Sequence, residues 1–561
     1  MESTLRALSR RFAGRALGRM LRLPAPITDY TVSRVQIPMR DGVDLVADRY
    51  EPDGGTQPVG TLLLRGPYGR GFSFSLIFGA LYAARGYRVL LQSVRGTFGS
   101  GGVFQPMIHE AADGADTVAW LRQQPWFTGR LATIGISYLG LTQWALLQDP
   151  PPELAASVII AGPHDFSASS WGTGSFTVSD VLGWCNVLVH QEDPGRIPAG
   201  IRQLRAQKKA TRAAGELPLG TAGRALLGAG APWWESWLEH SDADDPFWEP
   251  MRFTAALDRV QVPVLLVSGW QDLCLQQTLH QYQHLRDRGV DVALTVGPWT
   301  HAQLLGPGLG TIARESLDWL DTNLGGRPVK PRPSRVRVFV TGEGWREVPD
   351  WPPTTAERVL YLQPGGGLAE TRPPATSPSA GFRYDPADPT PTIGGRLLSP
   401  DGGYRDDTRL AARRDVLSFT SDALSDDLCV HGNPIAELAH TSDNPHVDVF
   451  VRISEVFPAK GAKGRSRNVS DGYRRLVDPA DTVTVQLDAI AHRFSAGSRI
   501  RVLVAGGSHP RYTRNLGTGE GLATGRQVKP STHEVHFGAS RVVLPVLSTD
   551  GVTDVGGDSA Q

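Results

Sequence analysis

The chain has 561 residues, with Lys+Arg 57 against Asp+Glu 57, 40% apolar and 20% charged residues, and only 3 Cys. At about 100–200 residues per domain this length predicts about three or four domains with ample core. The formal net charge of zero, with no large single-sign block in the body, removes the electrostatic case for nucleic acid or a polyanionic partner.

Cys185, Cys274 and Cys429 are far apart and lack CxxC spacing, so neither a disulfide framework nor a thiolate zinc site is readable, and a reducing compartment is the simpler reading. No run approaches the ~18 apolar residues of a membrane span, and the N-terminus lacks the continuous apolar core of a secretory signal. The expected location is cytoplasmic.

In chain order, residues 1–28 form a basic segment. Arg6, Arg10, Arg11, Arg15, Arg19 and Arg22 face the single acid Glu2, while Leu5, Leu8, Phe12, Ala16 and Met20 follow helical spacing, which predicts a basic amphipathic helix. A surface helix or arm is its favoured reading. Contact of residues 1–22 with an anionic membrane, or a transit-peptide role, is the less favoured one. Val32–Met39 and Val43–Asp48, joined by Arg40-Asp-Gly42, read as a hairpin.

From residue 60 short continuous apolar runs alternate with helical stretches: Leu62–Leu64, Val89–Leu91, Leu131–Ile134, Val158–Ile160, Val264–Val267 and Ala293–Val296. Runs apolar on both faces belong in a parallel sheet covered by helices. Between 165 and 250 the strand signal pauses and Trp171, Trp184, Trp233, Trp234, Trp237 and Trp248 punctuate a helical stretch, expected to be an inserted cap. The Pro/Gly-dense stretch Gly325–Pro333 reads as a linker. Beyond it the period is two, as in Val336–Val340, Val447–Ile453, Val483–Leu487 and Arg499–Val504, which predicts an all-β sandwich. Residues 363–410 are expected to be mostly loop.

Four G-x-S triplets occur, at Gly71–Ser73, Gly135–Ser137, Gly506–Ser508 and Gly538–Ser540, too common a pattern in a Gly-rich chain to carry meaning alone. A nucleophile elbow needs a buried strand, a sharp turn and then a helix, because the turn exposes the hydroxyl and the helix N-terminus favours an oxyanion. Ser137 has that setting; Ser508 runs into no helix, and Ser73 and Ser540 are expected to lack the preceding strand. Later in the chain one apolar run ends at Asp272 and the next at His301, the Ser, Asp, His order this fold class uses. His301 would take the Ser137 proton and return it to the leaving group, with Asp272 fixing the imidazole tautomer.

Gly135-Ile-Ser-Tyr-Leu-Gly140, Gly269-Trp-Gln-Asp272 and Gly297-Pro-Trp-Thr-His301 together resemble the cocaine esterase (CocE/NonD) branch of the X-prolyl dipeptidyl peptidase-like hydrolases. Further matches are Arg65-Gly-Pro-Tyr68, Val94–Ser100, the Asp113, Asp116, Trp120, Gln124-Pro-Trp126 segment and His509–Asn515. The resemblance implies an α/β-hydrolase core (29–164 and 251–328), a helical cap (165–250) and a jelly-roll-like β domain (334–561), with no cofactor and no metal. It implies Tyr68 and the Tyr138 amide as oxyanion donors, and Trp171, Cys274, Leu398 and Ser399 at the acyl pocket. Cys274 and Ser399 replace aromatic residues there, which would enlarge the pocket. The second glycine of the elbow stands at Gly140, where the general hydrolase pattern has it one residue earlier, at the position of Leu139.

The expected function is a serine hydrolase cleaving small-molecule carboxylic esters, or amides, through an acyl-enzyme. X-prolyl dipeptidyl peptidase, α-amino acid ester hydrolase and acyltransferase activities use the same constellation. The first two would need an acidic anchor for a substrate ammonium, and the sequence identifies none. A catalytically inactive binding protein is the non-enzyme alternative, disfavoured because Ser, Asp, His and the oxyanion tyrosine are all present. A metal-dependent hydrolase is disfavoured by the lack of HExxH or clustered ligand spacing. Monomer and homodimer both stay open.

Overall fold

A computed structural model describes residues 12–53, 55, 57–193, 199–327, 329–458, 464–476 and 482–547, the side chains of 199–205 excepted. The chain divides into two compact units. The first comprises Met1–Gly172, Asp180–Ala213 and Ala222–Arg335; the second comprises Thr173–Ser179, Ala214–Thr221 and Val336–Gln561.

In the first unit a sheet runs in the order β1-β2-β4-β3-β5-β6-β7-β8, from β1 (Tyr30–Pro38), β2 (Asp44–Pro52), β3 (Thr61–Gly66), β4 (Arg88–Ser93), β5 (Leu131–Ile136), β6 (Leu154–Ile160), β7 (Val264–Gln271) and β8 (Val292–Thr300). β1 and β2 form the antiparallel hairpin, β2 runs antiparallel to β4, and the pairings from β4 through β3, β5, β6 and β7 to β8 are parallel. Every residue of β3, β4, β5 and β7 is buried, as continuous apolar runs require when both faces of a sheet are covered. Helices Glu110–Arg122, Tyr138–Leu146, Leu275–Asp287 and Leu309–Leu320 follow β4, β5, β7 and β8 in the chain. Parallel pairing puts the C-terminal ends of β3, β5, β7 and β8 on one edge, where ligands bind in open α/β sheets.

Between β6 and β7 the described residues hold six α-helices, Phe166–Trp171, Val178–His190, Ala199–Ala214, Leu219–Leu227, Trp234–Glu239 and Ala255–Arg259, and no strand. The acidic motif before β5 is an anchor for loops: Asp113 takes both ends of the Arg95 guanidinium at 2.6 and 3.1 Å, and Asp116 takes Arg40 at 2.8 Å. Trp126 lies under the guanidinium groups of Arg49 and Arg88.

Residues 12–20 are helical, but the face that docks is not the apolar stripe read from the sequence. Gly14 and Gly18 are buried, with a Cβ at Gly14 meeting Ala80 at 3.3 Å and one at Gly18 meeting the Arg85 guanidinium at 2.8 Å. Phe12 and Met20 are left 76% and 71% exposed. Two glycines one turn apart let the backbone approach closely, and that approach outweighs burial of the larger side chains. Leu5, Leu8, Arg6, Arg10 and Arg11 lie outside the described residues. No helix among the described residues is long and apolar enough to cross a membrane.

The second unit is built of strands. A hairpin, Val336–Val340 with Gly344–Val348, precedes a sheet centred on Ser531–Leu547, a 17-residue strand that pairs with Thr355–Leu362, Ser379–Tyr384, Leu428–Gly432 and Ile435–Ser442. Ser540 therefore sits inside a strand, contrary to the sequence reading, and its hydroxyl accepts from the Ala439 amide at 3.0 Å where the register shifts. No helix follows it, so it makes no elbow. Within 363–410, expected to be mostly loop, Ser379–Tyr384 is a strand that buries Phe382 and Tyr384 at period two.

A buried charge network ties these strands together. Arg452, with no solvent exposure, grips Asp471 at 2.7 and 2.9 Å; Arg511 also binds Asp471 at 3.0 Å and approaches Asp488 at 3.5 Å; Arg396 closes on Asp488. Removing one partner of such a group leaves an uncompensated buried charge. Arg452→Leu should therefore lower the stability of the protein by about 3–5 kcal/mol, read as a fall in the urea midpoint of the β-rich unit. An unchanged midpoint would show that the network is dispensable.

Candidate active site

Ser137 follows β5 and caps helix Tyr138–Leu146 with φ 58 and ψ −122. A non-glycine residue at positive φ is strained, and the surroundings must hold it there. Its N–H donates to Ile160 at 2.9 Å, and its carbonyl accepts from Gly140 and Leu141 at 2.8 and 2.9 Å. Across 131–147 every residue is buried except Ser137, so the turn presents that one side chain outward.

The displaced glycine of the elbow has a packing reason. A Cβ at Gly140 would lie 2.6 Å from Gly162 Cα, whereas Leu139 fills space left by Gly66 and Gly135, where added Cβ atoms would meet it at 2.3 and 2.5 Å. The helix thus approaches the sheet through Gly140, and the leucine is the knob that fits between two strands.

Asp272 and His301 follow β7 and β8. Asp272 is fully buried, and its two carboxylate oxygens are both used: Oδ2 pairs with His301 Nδ1 at 2.7 Å, and Oδ1 accepts from the Cys274 amide at 2.6 Å. His301 opens a short helix whose cap, Thr300, forms a reciprocal box with Gln303. Burial alone would lower the imidazole pKa; the charge and hydrogen bond of Asp272, with a contribution from Asp180, outweigh it and leave it above its ordinary 6.5.

Tyr68 follows β3. Its hydroxyl hydrogen-bonds Ser137 and accepts from the Trp184 indole N–H at 3.0 Å, while desolvation pushes its pKa up to about 12 despite both bonds. It is a phenol, not a phenolate, at neutral pH. The Gln191 amide donates to the Pro67 carbonyl at 3.0 Å, so helix Val178–His190 and the residue after it hold the Tyr68 loop at two points. Tyr68, Ser137, Asp272, Cys274 and His301 form one connected group, since Cys274 lies close to His301 and bears on the ionisation of Tyr68.

The Tyr138 side chain points away from this group. Its hydroxyl donates to Glu110 at 2.8 Å and accepts from the Met107 amide at 2.7 Å, and Arg65 meets Glu110 at 3.1 Å. Burial and the Glu110 charge hold the Tyr138 hydroxyl well above its ordinary pKa. Only its backbone N–H, at the first turn of the helix, is available as an oxyanion donor.

Trp171 is buried, its indole N–H donating to the Trp237 carbonyl at 3.0 Å. Leu398 and Ser399 belong to the second unit, where the Ser399 carbonyl accepts from Gly402 at 3.0 Å. Sequence reasoning missed Trp184. Six tryptophans in one helical stretch offer no signal to single it out, because its importance comes from a contact across 116 residues. It also missed Glu110, whose position at a helix start reads as ordinary capping chemistry.

If Asp272 is what raises the His301 pKa, removing its charge should reverse the shift. In Asp272→Asn the imidazole should titrate below 6.5, because burial then dominates. NMR of the His301 ring across pH checks this, and an unchanged midpoint would overturn the electrostatic assignment.

A family model described as X-Pro dipeptidyl-peptidase (S15 family) matches residues 41–303, and one described as the X-Pro dipeptidyl-peptidase C-terminal non-catalytic domain matches 329–542. The chain is 31% identical over 577 residues to a cocaine esterase of Rhodococcus sp., covering 92% of this chain and 99% of that protein. An aminopeptidase from a marine-sediment Thaumarchaeota archaeon has TM-score 0.80 at 25% identity over 94% of this chain and 98% of that one. An α-amino acid ester hydrolase has TM-score 0.78 at 23% identity, again over 94% and 98%.

Proposed function

Because the chain belongs to the CocE/NonD group of X-Pro dipeptidyl-peptidase-like hydrolases, we propose that Ser137, Asp272 and His301 are the triad of its serine esterase chemistry. The protein is a serine hydrolase of esters. The single observation that carries the residue assignment is the strained, outward Ser137 hydrogen-bonded to a protonated Tyr68 on the strand edge that also bears the Asp272–His301 pair.

In this reading Ser137 Oγ attacks the ester carbonyl and His301 Nε2 takes its proton, while Asp272 holds Nδ1–H and stabilises the imidazolium. The developing oxyanion takes the Tyr68 hydroxyl and the Tyr138 N–H. The Trp184 N–H donates to the same phenol oxygen, which leaves the Tyr68 proton to turn to the oxyanion as it forms. His301 returns its proton to the leaving alcohol, and water, activated by the same imidazole, then attacks the acyl-enzyme carbonyl and releases the acid.

The architecture proposed with it is an α/β-hydrolase core (29–164 and 251–328), a helical cap within 165–250 and a jelly-roll-like domain from 334. Cys274, beside His301 and Tyr68, would shape the acyl side of the site. Esters are the preferred substrates in this reading because the relative at 31% identity over 92% of this chain is a cocaine esterase.

Intact-mass labelling with a fluorophosphonate should give one adduct, on Ser137, and none in Ser137→Ala; an unlabelled, folded wild type would overturn the triad. Tyr68→Phe should lower kcat by about 10²–10³, the usual cost of one oxyanion donor. Trp184→Phe removes one neutral hydrogen bond worth about 1 kcal/mol, or about fivefold in kcat. That loss should vanish in a Tyr68→Phe background, and additive losses would show that Trp184 acts by another route.

A further inference from the structure

The Cys274 thiol lies beside Asp272 and His301 and has no part in the ester-hydrolysis steps described above. One donor atom each from Asp272, Cys274 and His301 lies within 4.8 Å of the other two, and all three residues are buried. We propose that these three side chains form a zinc site whose occupation reversibly inhibits the hydrolase.

Thiolate, imidazole and carboxylate are the donors zinc takes, at about 2.3, 2.0–2.1 and 2.0–2.2 Å respectively. A tetrahedron with those bond lengths sets neighbouring donors roughly 3.3–3.8 Å apart, so the wider pairs, within 4.8 Å, must draw in, the 2.7 Å Asp272–His301 pair must part and the Nδ1 proton must pass to Nε2 if Nδ1 is the ligand. The Cys274 backbone N–H bonded to Asp272 Oδ1 at 2.6 Å holds the backbone of residue 274 against the carboxylate. Charge also balances: one thiolate and one carboxylate neutralise a divalent ion, and the thiol proton leaves to solvent on binding. The fourth position is left to water.

The other two cysteines lack such company. Cys185 is a buried thiol pushed up to about 12 by desolvation, and Cys429 is only partly buried among charged neighbours of both signs. Among the described residues no other group of three His, Cys, Asp or Glu side chains meets so closely.

Zinc held there withdraws the imidazole from proton transfer and ties up the carboxylate that orients it. Binding rests on the geometry of the three donors alone; only its inhibitory effect rests on the triad reading.

The test uses the full chain freed of metal by chelator, as wild type, Ser137→Ala, Cys274→Ser and Cys274→Ala. Cobalt(II) is titrated as a spectroscopic stand-in for zinc. The wild type and Ser137→Ala should show a near-ultraviolet thiolate-to-cobalt charge-transfer band that both Cys274 variants lack. Zinc should slow hydrolysis of a p-nitrophenyl ester and fluorophosphonate labelling by the wild type, with recovery on adding chelator. Loss of even an outer partner of a metal ligand typically costs about 10–100-fold in affinity, so each Cys274 variant should need at least about 100-fold more zinc for the same inhibition.

A cobalt band unaltered in the Cys274 variants, no band in any protein, equal zinc sensitivity of wild type and variants, or activation by zinc would each overturn the proposal. A band in a wild type that hydrolyses no ester and takes no fluorophosphonate would keep the metal site and overturn the triad instead.

Discussion

The Asp272 carboxylate carries a charge with no access to water, and a buried charge is tolerated only when its lone pairs are engaged. Here the engagement is divided between an imidazole N–H and a backbone N–H two residues on. That division ties the turn after β7 to the turn after β8, so the ends of two adjacent parallel strands are held in one register at the edge of the sheet. The tautomer of His301, the direction of its second nitrogen and the place of Cys274 all follow from this one group.

Opposite it, the geometry of Ser137 is maintained by packing. The residue occupies an unfavourable region of backbone space, and it is kept there by its backbone hydrogen bonds to Ile160, Gly140 and Leu141 and by the fit of a helix against the sheet. Leu139 seated between Gly66 and Gly135, and Gly140 laid on Gly162, make that fit dense enough that relaxation of the turn would open a void. Tyr68 reaches the same point from β3 and is steadied from its far side by Trp184. One half of the site is thus held by charge and the other by close contact, and the hydroxyl lies where the two meet.

Legibility in the sequence divided along similar lines. Strands β3 to β8 were readable because apolar residues on both faces leave a short uninterrupted run, and Asp272 and His301 stood out as polar residues at the ends of two such runs. Ser531–Leu547 was hidden although it is the central strand of its sheet: Thr532, Glu534 and His536 alternate properly, but Gly538-Ala-Ser540 breaks the pattern at the register shift and imitates a turn. The N-terminal helix was legible as a helix and misread as to its face, since hydropathy weights Phe12 and Met20 and gives no weight to the close backbone approach that Gly14 and Gly18 allow. Tyr68 was placed beside Ser137 only through family resemblance, and Trp184 had no local mark at all, because a contact between distant segments leaves no period in the chain.

The linked ions of the β-rich unit bear on how that unit is made as much as on how stable it is. Arg396, Arg452, Asp471, Asp488 and Arg511 come from five separate stretches of chain, and all but the partly exposed Arg396 are buried once the unit is formed. A partly zipped sheet that shuts water out from one of them before its partner arrives is penalised by the solvation it has lost, while a sheet still open to water carries no such penalty. Half-assembled states are therefore disfavoured relative to both the open and the closed ends of the process. The charges thereby favour cooperative closure of the unit and lower the population of states that offer unpaired strand edges to other chains.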